Sequence, residues 1–92
     1  DTAGTLIEGV NALKDHGANK IYACATHAIF SDPALDRIET CDALDSVIIT
    51  DTIPLAERGL SIDKIKVVST SELISKAIHR TFNNDSVSSL FI

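Results

Sequence analysis

Val47-Ile48-Ile49-Thr50, followed at once by Asp51-Thr52-Ile53-Pro54, is the stretch that decides the fold class. A short apolar run rich in β-branched residues predicts a buried strand. Pro54 has no N–H to give to a ladder, so the strand is expected to end before it. Two similar runs flank this one. Ile21-Tyr22-Ala23-Cys24-Ala25-Thr26 is nearly continuous in apolar residues and predicts a strand covered on both faces, and Ile65-Lys66-Val67-Val68 predicts a third.

Helical patterns lie outside and between these runs. Leu6, Ile7, Val10, Leu13 and Lys14 form a mostly apolar stripe at helical spacing, which predicts a helix over about residues 5–16. Gly17 is the expected residue just past its end, with Lys14 near the negative end of the helix dipole. Residues 27–31 read as a loop. Asp32 is expected to cap a short helix with Pro33 in its first position and Leu35 and Ile38 as apolar anchors. Residues 56–59 read as a turn of helix. Ser69 and Glu72 have capping-box spacing, and Leu73, Ile74, Ala77 and Ile78 define a helix reaching toward Phe82 before Asn83-Asn84-Asp85 breaks it. The tail, residues 86–91, is expected to make a final short turn. The order helix, strand, helix, strand, strand, helix predicts an α/β fold with a parallel sheet and right-handed crossovers.

The 92 residues carry 8 Lys and Arg against 13 Asp and Glu, a net charge of −5. With 45% hydrophobic and 23% charged residues the chain reads as globular. The negative balance and the scattered basic residues (Lys14, Lys20, Arg37, Arg58, Lys64, Arg80) argue against nucleic acid as the main partner. Cys24 and Cys41 form no C-x-x-C pair and have no histidine cluster beside them, so buried free thiols in a reducing compartment are expected. No apolar run is long enough to span a membrane and nothing resembles a signal peptide; a cytoplasmic setting with no membrane partner is the expectation. The chain opens on Asp1, contains no Met, and begins in what looks like the middle of a motif. A helix that follows a glycine-containing loop in an α/β fold is normally preceded by a strand. The chain is therefore expected to be a segment of a larger domain whose first strand lies before Asp1.

Asp1-Thr2-Ala3-Gly4-Thr5 is the segment with the most chemistry. Thr2 and Thr5 offer hydroxyl donors, Gly4 lets a ligand approach the backbone, and the loop runs into a helix whose free N–H groups favour an anion. Asp1 offers an acceptor for sugar hydroxyls. The same composition is compatible with an ordinary strand-to-helix turn in which Thr2 or Thr5 is the N-cap. His27 follows a strand at the end where open α/β sheets bind ligands, although a structural histidine bonded to nearby backbone fits the position as well. Asp51 reads as a turn residue. His16 and His79 read as helix-surface residues.

Four segments together resemble phosphoribosyl pyrophosphate synthetases. Asp1-Thr2-Ala3-Gly4-Thr5 is similar to their ribose 5-phosphate loop, which type I phosphoribosyltransferases share in variant form. Ala25-Thr26-His27-Ala28-Ile29-Phe30-Ser31 resembles their A-T-H-x-x-F-S, Thr50-Asp51-Thr52-Ile53-Pro54 their T-[DN]-T-I-P, and Asp85-Ser86-Val87-Ser88-Ser89-Leu90-Phe91 their C-terminal E-S-[IV]-S-x-x-F. Asp32 stands where many members have glycine.

The resemblance implies a type I phosphoribosyltransferase-like, parallel-sheet α/β domain, incomplete at its N-terminal side. Residues 1–92 would form its C-terminal part, with the ATP-binding half and the first strand absent. It implies transfer of the diphosphoryl group of ATP to the C1 hydroxyl of ribose 5-phosphate, giving phosphoribosyl pyrophosphate and AMP, with Mg²⁺ as cofactor. The metal would be held mainly outside this chain, ATP would be met through the missing half, and no catalytic residue or metal ligand is assigned here. Asp1, Thr2, Ala3, Gly4 and Thr5 would hold ribose 5-phosphate, chiefly through main-chain N–H groups. Ser86, Ser88 and Phe91 would belong to an allosteric site for phosphate or ADP, unless the tail simply docks Val87, Leu90 and Phe91 on the core. The implied assembly is a homo-oligomer, a hexamer built from dimers. A phosphoribosyltransferase fragment and a non-catalytic regulatory homologue of the synthetase are the alternatives.

Overall fold

The computed structural model describes residues 2–91. Elements follow in the order α1 (Gly4–Asp15), β1 (Tyr22–Ala25), α2 (Asp32–Thr40), β2 (Ser46–Thr50), α3 (Glu57–Leu60), β3 (Ile65–Val68), α4 (Ser71–Phe82) and a 3-10 turn at Ser88–Phe91. The three strands form one sheet in the order β1-β2-β3, with β2 parallel to both neighbours. Ala23 pairs with Val47, Ile49 with Val67, and Thr50 with Val68. The expected parallel α/β arrangement is therefore the observed one.

Alternation along β2 places the core. Val47 and Ile49 are buried while Ser46, Ile48 and Thr50 are partly exposed. The buried side packs with Val10 of α1, Leu35 and Ile38 of α2, and Leu44, Ile62 and Ile65. Each such side chain contributes on the order of 1.5–3 kcal/mol by leaving water. The opposite face is uncovered among the described residues: Tyr22, Cys24 and Val68, which pair with Ser46, Ile48 and Thr50, are exposed. This corrects the expectation of strands covered on both faces. It also corrects the reading of Cys24 as a buried thiol: Cys24 is exposed and Cys41 is half-buried, both free. β1 alternates with the rest of the sheet, and its Cys24 pairs with Ile48 on the open face.

Helix ends follow their chemistry, with two shifts. α1 closes as foreseen: Gly17 takes φ 95, its N–H donates to the Lys14 carbonyl at 3.0 Å, and the Ala18 N–H reaches back to the Leu13 carbonyl at 3.0 Å. α4 ends the same way on Asn84 (φ 58), with Asp85 N–H on the Arg80 carbonyl at 2.8 Å. α2 starts one residue earlier than expected. Ser31, not Asp32, is the N-cap, accepting from the Ala34 N–H at 3.3 Å, and Asp32 becomes the first helical residue. A hydroxyl one position upstream competes successfully for that N–H. The capping box at Ser69 and Glu72 does not form. Thr70 is the N-cap residue without a side-chain cap bond, and Glu72 instead pairs with Lys76 at 2.9 Å.

Lys64 and Gly59 tie α2 and α3 to the sheet. The Lys64 ammonium donates to the carbonyls of Ile38 (3.2 Å), Glu39 (3.3 Å) and Cys41 (2.5 Å), closing the C-terminus of α2 where the dipole is negative. Gly59 is buried, and a Cβ there would lie 2.7 Å from Leu55 Cγ, so Leu55 packs where any side chain would sit.

α4 stands apart from this body. None of its residues is buried, and the long dimension of the molecule is 50 Å against 19 Å for the shortest. Ile74, Ile78 and Phe82 are exposed along it. The tail folds back on α4 and does not dock on the core. The Arg80 guanidinium donates to the Ser86 carbonyl at 3.0 Å and to the Ser89 hydroxyl.

Lys64→Met removes three charge-assisted bonds and leaves the α2 carbonyls unpaired. We expect a loss of about 1.5–3 kcal/mol, read as a lower urea midpoint at constant slope. An unchanged midpoint would show that water satisfies those carbonyls equally well.

Candidate functional site

Parallel pairing sends the C-terminal ends of all three strands to one edge of the sheet, the edge where open α/β sheets bind ligands. The segment before α1 arrives there too. A cleft of about 370 Å³ is lined by Thr2, Gly4 and Thr5 on one side and by Ala25, His27 and Phe30 on the other. Two of the segments singled out in the sequence thus face each other across one space.

The loop has an unusual entry into its helix. Ala3 is the N-cap residue in the left-handed conformation, φ 60 and ψ 14, which costs a residue with a Cβ roughly 1–2 kcal/mol. The first helical bond runs from Ile7 N–H to the Ala3 carbonyl at 3.0 Å. The N–H groups of Gly4, Thr5 and Leu6 precede it and have no intrahelical acceptor. Among the described residues no side chain caps α1, and its first turn holds no acidic residue. Neither Thr2 nor Thr5 is the N-cap that an ordinary turn would use. α2 differs in having Ser31 and Asp32 at its start. Gly4 needs no special conformation, and a Cβ there would meet only Thr2 Oγ1 at 3.7 Å and Arg37 Nη1 at 3.8 Å, both ordinary contacts. Nothing within the chain requires a glycine at that position. Arg37 of α2 donates from Nη1 to the Thr2 carbonyl at 2.6 Å. Asp1, the expected partner of sugar hydroxyls, lies outside the described residues.

Across the cleft, hydroxyl groups lock the ends of β1 and β2 together. The Thr26 carbonyl accepts from Thr50 Oγ1 at 2.5 Å and from Thr52 Oγ1 at 3.2 Å. His27 Nδ1 lies 2.7 Å from Thr52 Oγ1. Which of the two groups donates in that contact depends on the imidazole tautomer. His27 therefore bonds a side-chain hydroxyl, where backbone was the expected partner.

Asp51 does more than turn the chain. Its Oδ1 accepts from the Thr70 N–H at 2.8 Å and the Thr70 hydroxyl at 2.7 Å, and its Oδ2 from the Ser69 hydroxyl at 2.8 Å. The carboxylate thereby supplies the cap that the Ser69–Glu72 spacing suggested, but from 19 residues away in sequence. These bonds, the Thr70 N–H foremost, then the Thr70 and Ser69 hydroxyls, lower the Asp51 pKa from 3.8 to about 2. Arg37 and the Ser69–Thr70 pair are the residues the sequence reading missed. Both act on partners distant along the chain, and no local spacing marks them.

Ser86, Ser88 and Phe91 lie away from this edge, on the turn that follows α4. The Ser86 and Ser88 hydroxyls are 2.9 Å apart and Phe91 is exposed. Among the described residues no three His, Cys, Asp or Glu side chains converge as metal ligands would. Asp51, the carboxylate at the sheet edge, has both oxygens bonded to Ser69 and Thr70. The described residues do not form a Mg²⁺ site. No helix among the described residues is long and apolar enough to cross a membrane.

A parallel α/β body with this loop at its sheet edge defines the class, and comparison with known proteins defines the family. The model of the phosphoribosyl synthetase-associated domain matches residues 1–92, and the chain belongs to that family. It is 50% identical over 91 residues to a ribose-phosphate pyrophosphokinase of Fusobacterium nucleatum, covering 99% of this chain and 28% of that protein. Against the protein of the same name from Caldanaerobacter subterraneus it is 53% identical, again over 99% of this chain and 28% of the other. The crystal structure of phosphoribosylpyrophosphate synthetase from Mycobacterium smegmatis superposes with a TM-score of 0.84 at 36% identity, covering 91% of this chain and 28% of that one. The chain thus spans under a third of the length of these relatives, and the resemblance read from the four motifs is the family found.

The Asp51 cap carries a pH signature. Its folded pKa lies below the unfolded value, so its stabilising contribution is complete above pH 3.8 and is lost as pH falls through about 2. The Thr70 amide resonance is expected to shift with a midpoint near 2, and Asp51→Asn to abolish that shift. A midpoint near 3.8 would mean that the contact is not made in solution.

Proposed function

We propose that this chain is the ribose 5-phosphate-binding, C-terminal part of a ribose-phosphate pyrophosphokinase. In the whole protein the C1 hydroxyl oxygen of ribose 5-phosphate attacks the β-phosphorus of ATP. The bond from that phosphorus to the oxygen bridging it to the α-phosphorus breaks, the C1 hydroxyl proton is lost, and AMP leaves with phosphoribosyl pyrophosphate as product. Mg²⁺ accompanies ATP and is held by residues outside this chain. Here the role of the chain is binding and orientation: the N–H groups of Gly4, Thr5 and Leu6 grip the 5-phosphate, Thr2 and Thr5 add hydroxyls, and Asp1 takes the ribose hydroxyls. The same reading assigns Ser86, Ser88 and Phe91 to a regulatory phosphate or ADP site, and the protein to a cytoplasmic hexamer built from dimers.

One observation supports the reading above others. The three N–H groups at the start of α1 lack intrahelical acceptors beneath a loop whose Gly4 answers no need of the chain itself. A phosphate accounts for both, since it takes the N–H groups from the cleft side and approaches backbone that carries no side chain.

Calorimetric titration of the 92-residue chain tests the reading. Ribose 5-phosphate is expected to bind and D-ribose not to bind. Gly4→Ala should leave the fold intact, and even raise stability by about 0.4–1 kcal/mol. The same variant should weaken ribose 5-phosphate about tenfold or more, because small misplacements at such a loop are costly. Equal affinity in Gly4→Ala would remove the phosphate from this loop. Mixed with ATP, Mg²⁺ and ribose 5-phosphate, the chain alone should make no phosphoribosyl pyrophosphate; measurable product would refute its role as a binding part only.

A further inference from the structure

We infer that Arg37 is a positioning residue for the Thr2–Thr5 loop, holding it in its binding shape from behind without touching the ligand; this rests on the ribose 5-phosphate reading above. The loop needs such support. Ala3 is left-handed, a state that a residue with a Cβ leaves readily unless its surroundings hold it. Two bonds bracket Ala3. Ile7 N–H takes its own carbonyl at 3.0 Å, and Arg37 Nη1 takes the carbonyl of the preceding residue, Thr2, at 2.6 Å. The second is the short, charge-assisted one.

Arg37 comes from the far side of the loop. The ligand cleft is lined by Thr2, Gly4, Thr5, Ala25, His27 and Phe30, and Arg37 is not among its walls. It lines the neighbouring groove between α1 and α2, of about 490 Å³, with Asn11 and Lys14. Its anchorage is firm, because it sits on α2 between Leu35 and Ile38, which are 1% and 0% exposed. The geometry thus links a core-packed helix to the exact carbonyl that precedes the strained residue. Placing a guanidinium beside the positive end of α1 also raises the local potential, which an arriving anion relieves.

The test uses the 92-residue chain with ribose 5-phosphate and, separately, inorganic phosphate as probes. Arg37→Met keeps the stem and removes the donor; Arg37→Lys keeps a single cationic donor. Arg37→Met is expected to weaken both probes by the same factor, about tenfold, while the chain still unfolds cooperatively in urea. Arg37→Lys should recover part of the loss. The loss should persist at high salt, because a bond to a carbonyl is not screened as a charge on phosphate is. Unchanged affinity in Arg37→Met, with normal binding by the unsubstituted chain, overturns this inference alone. A loss that vanishes at high salt overturns it as well, since Arg37 would then act only through its charge. Failure of the unsubstituted chain to bind either probe overturns the ribose 5-phosphate reading and this inference with it.

Discussion

Parallel pairing of β2 with both of its neighbours is the constraint on which the rest of the structure depends. It sends three strand ends and their loops to the same edge. There the Thr26 carbonyl meets the hydroxyls of Thr50 and Thr52, and the Asp51 carboxylate meets Ser69 and Thr70. In an antiparallel sheet these segments would alternate between opposite edges and no such contacts would form. Val47 and Ile49 fix the register, since a slip of one residue would turn both toward solvent.

Two kinds of bonding divide the molecule. The body is held by apolar burial on one side of the sheet, around Leu35, Ile38, Leu44 and Ile49. α4 and the tail are held by polar contacts at their ends: Asp51 on Ser69 and Thr70 at the start, Arg80 on Ser86 and Ser89 at the finish. Exposed polar contacts of this kind contribute little each, so α4 is the element whose opening costs least. The loop before α1 lies on the firmer side, where Arg37 of α2 bonds the Thr2 carbonyl next to the left-handed Ala3.

Much of the fold was legible because its signals are local. The strand runs, the Gly17 and Asn83-Asn84-Asp85 stops and the helical stripe of α1 each rest on neighbours in sequence, and each element formed within a residue or two of its expected limits. What escaped was non-local. Ser69 and Glu72 have the spacing of a cap, yet the carboxylate that serves is Asp51, at the end of the previous strand. Cys24 sits in an apolar run that reads as buried from both sides, while burial depends on whether another layer covers the sheet. The site divides in the same way. The loop was visible as composition, and its family likeness came from three other segments; Arg37 was indistinguishable from any surface charge until its bond to Thr2 appeared.

The central claim is that the open N–H groups at the head of α1 are a phosphate site. A crystal structure of the chain with ribose 5-phosphate tests it most directly. The account predicts the phosphorus over the N–H groups of Gly4, Thr5 and Leu6, with the sugar directed toward His27 and Phe30. A phosphate lodged instead in the groove between α1 and α2, against Lys14 and the free face of Arg37, would contradict it.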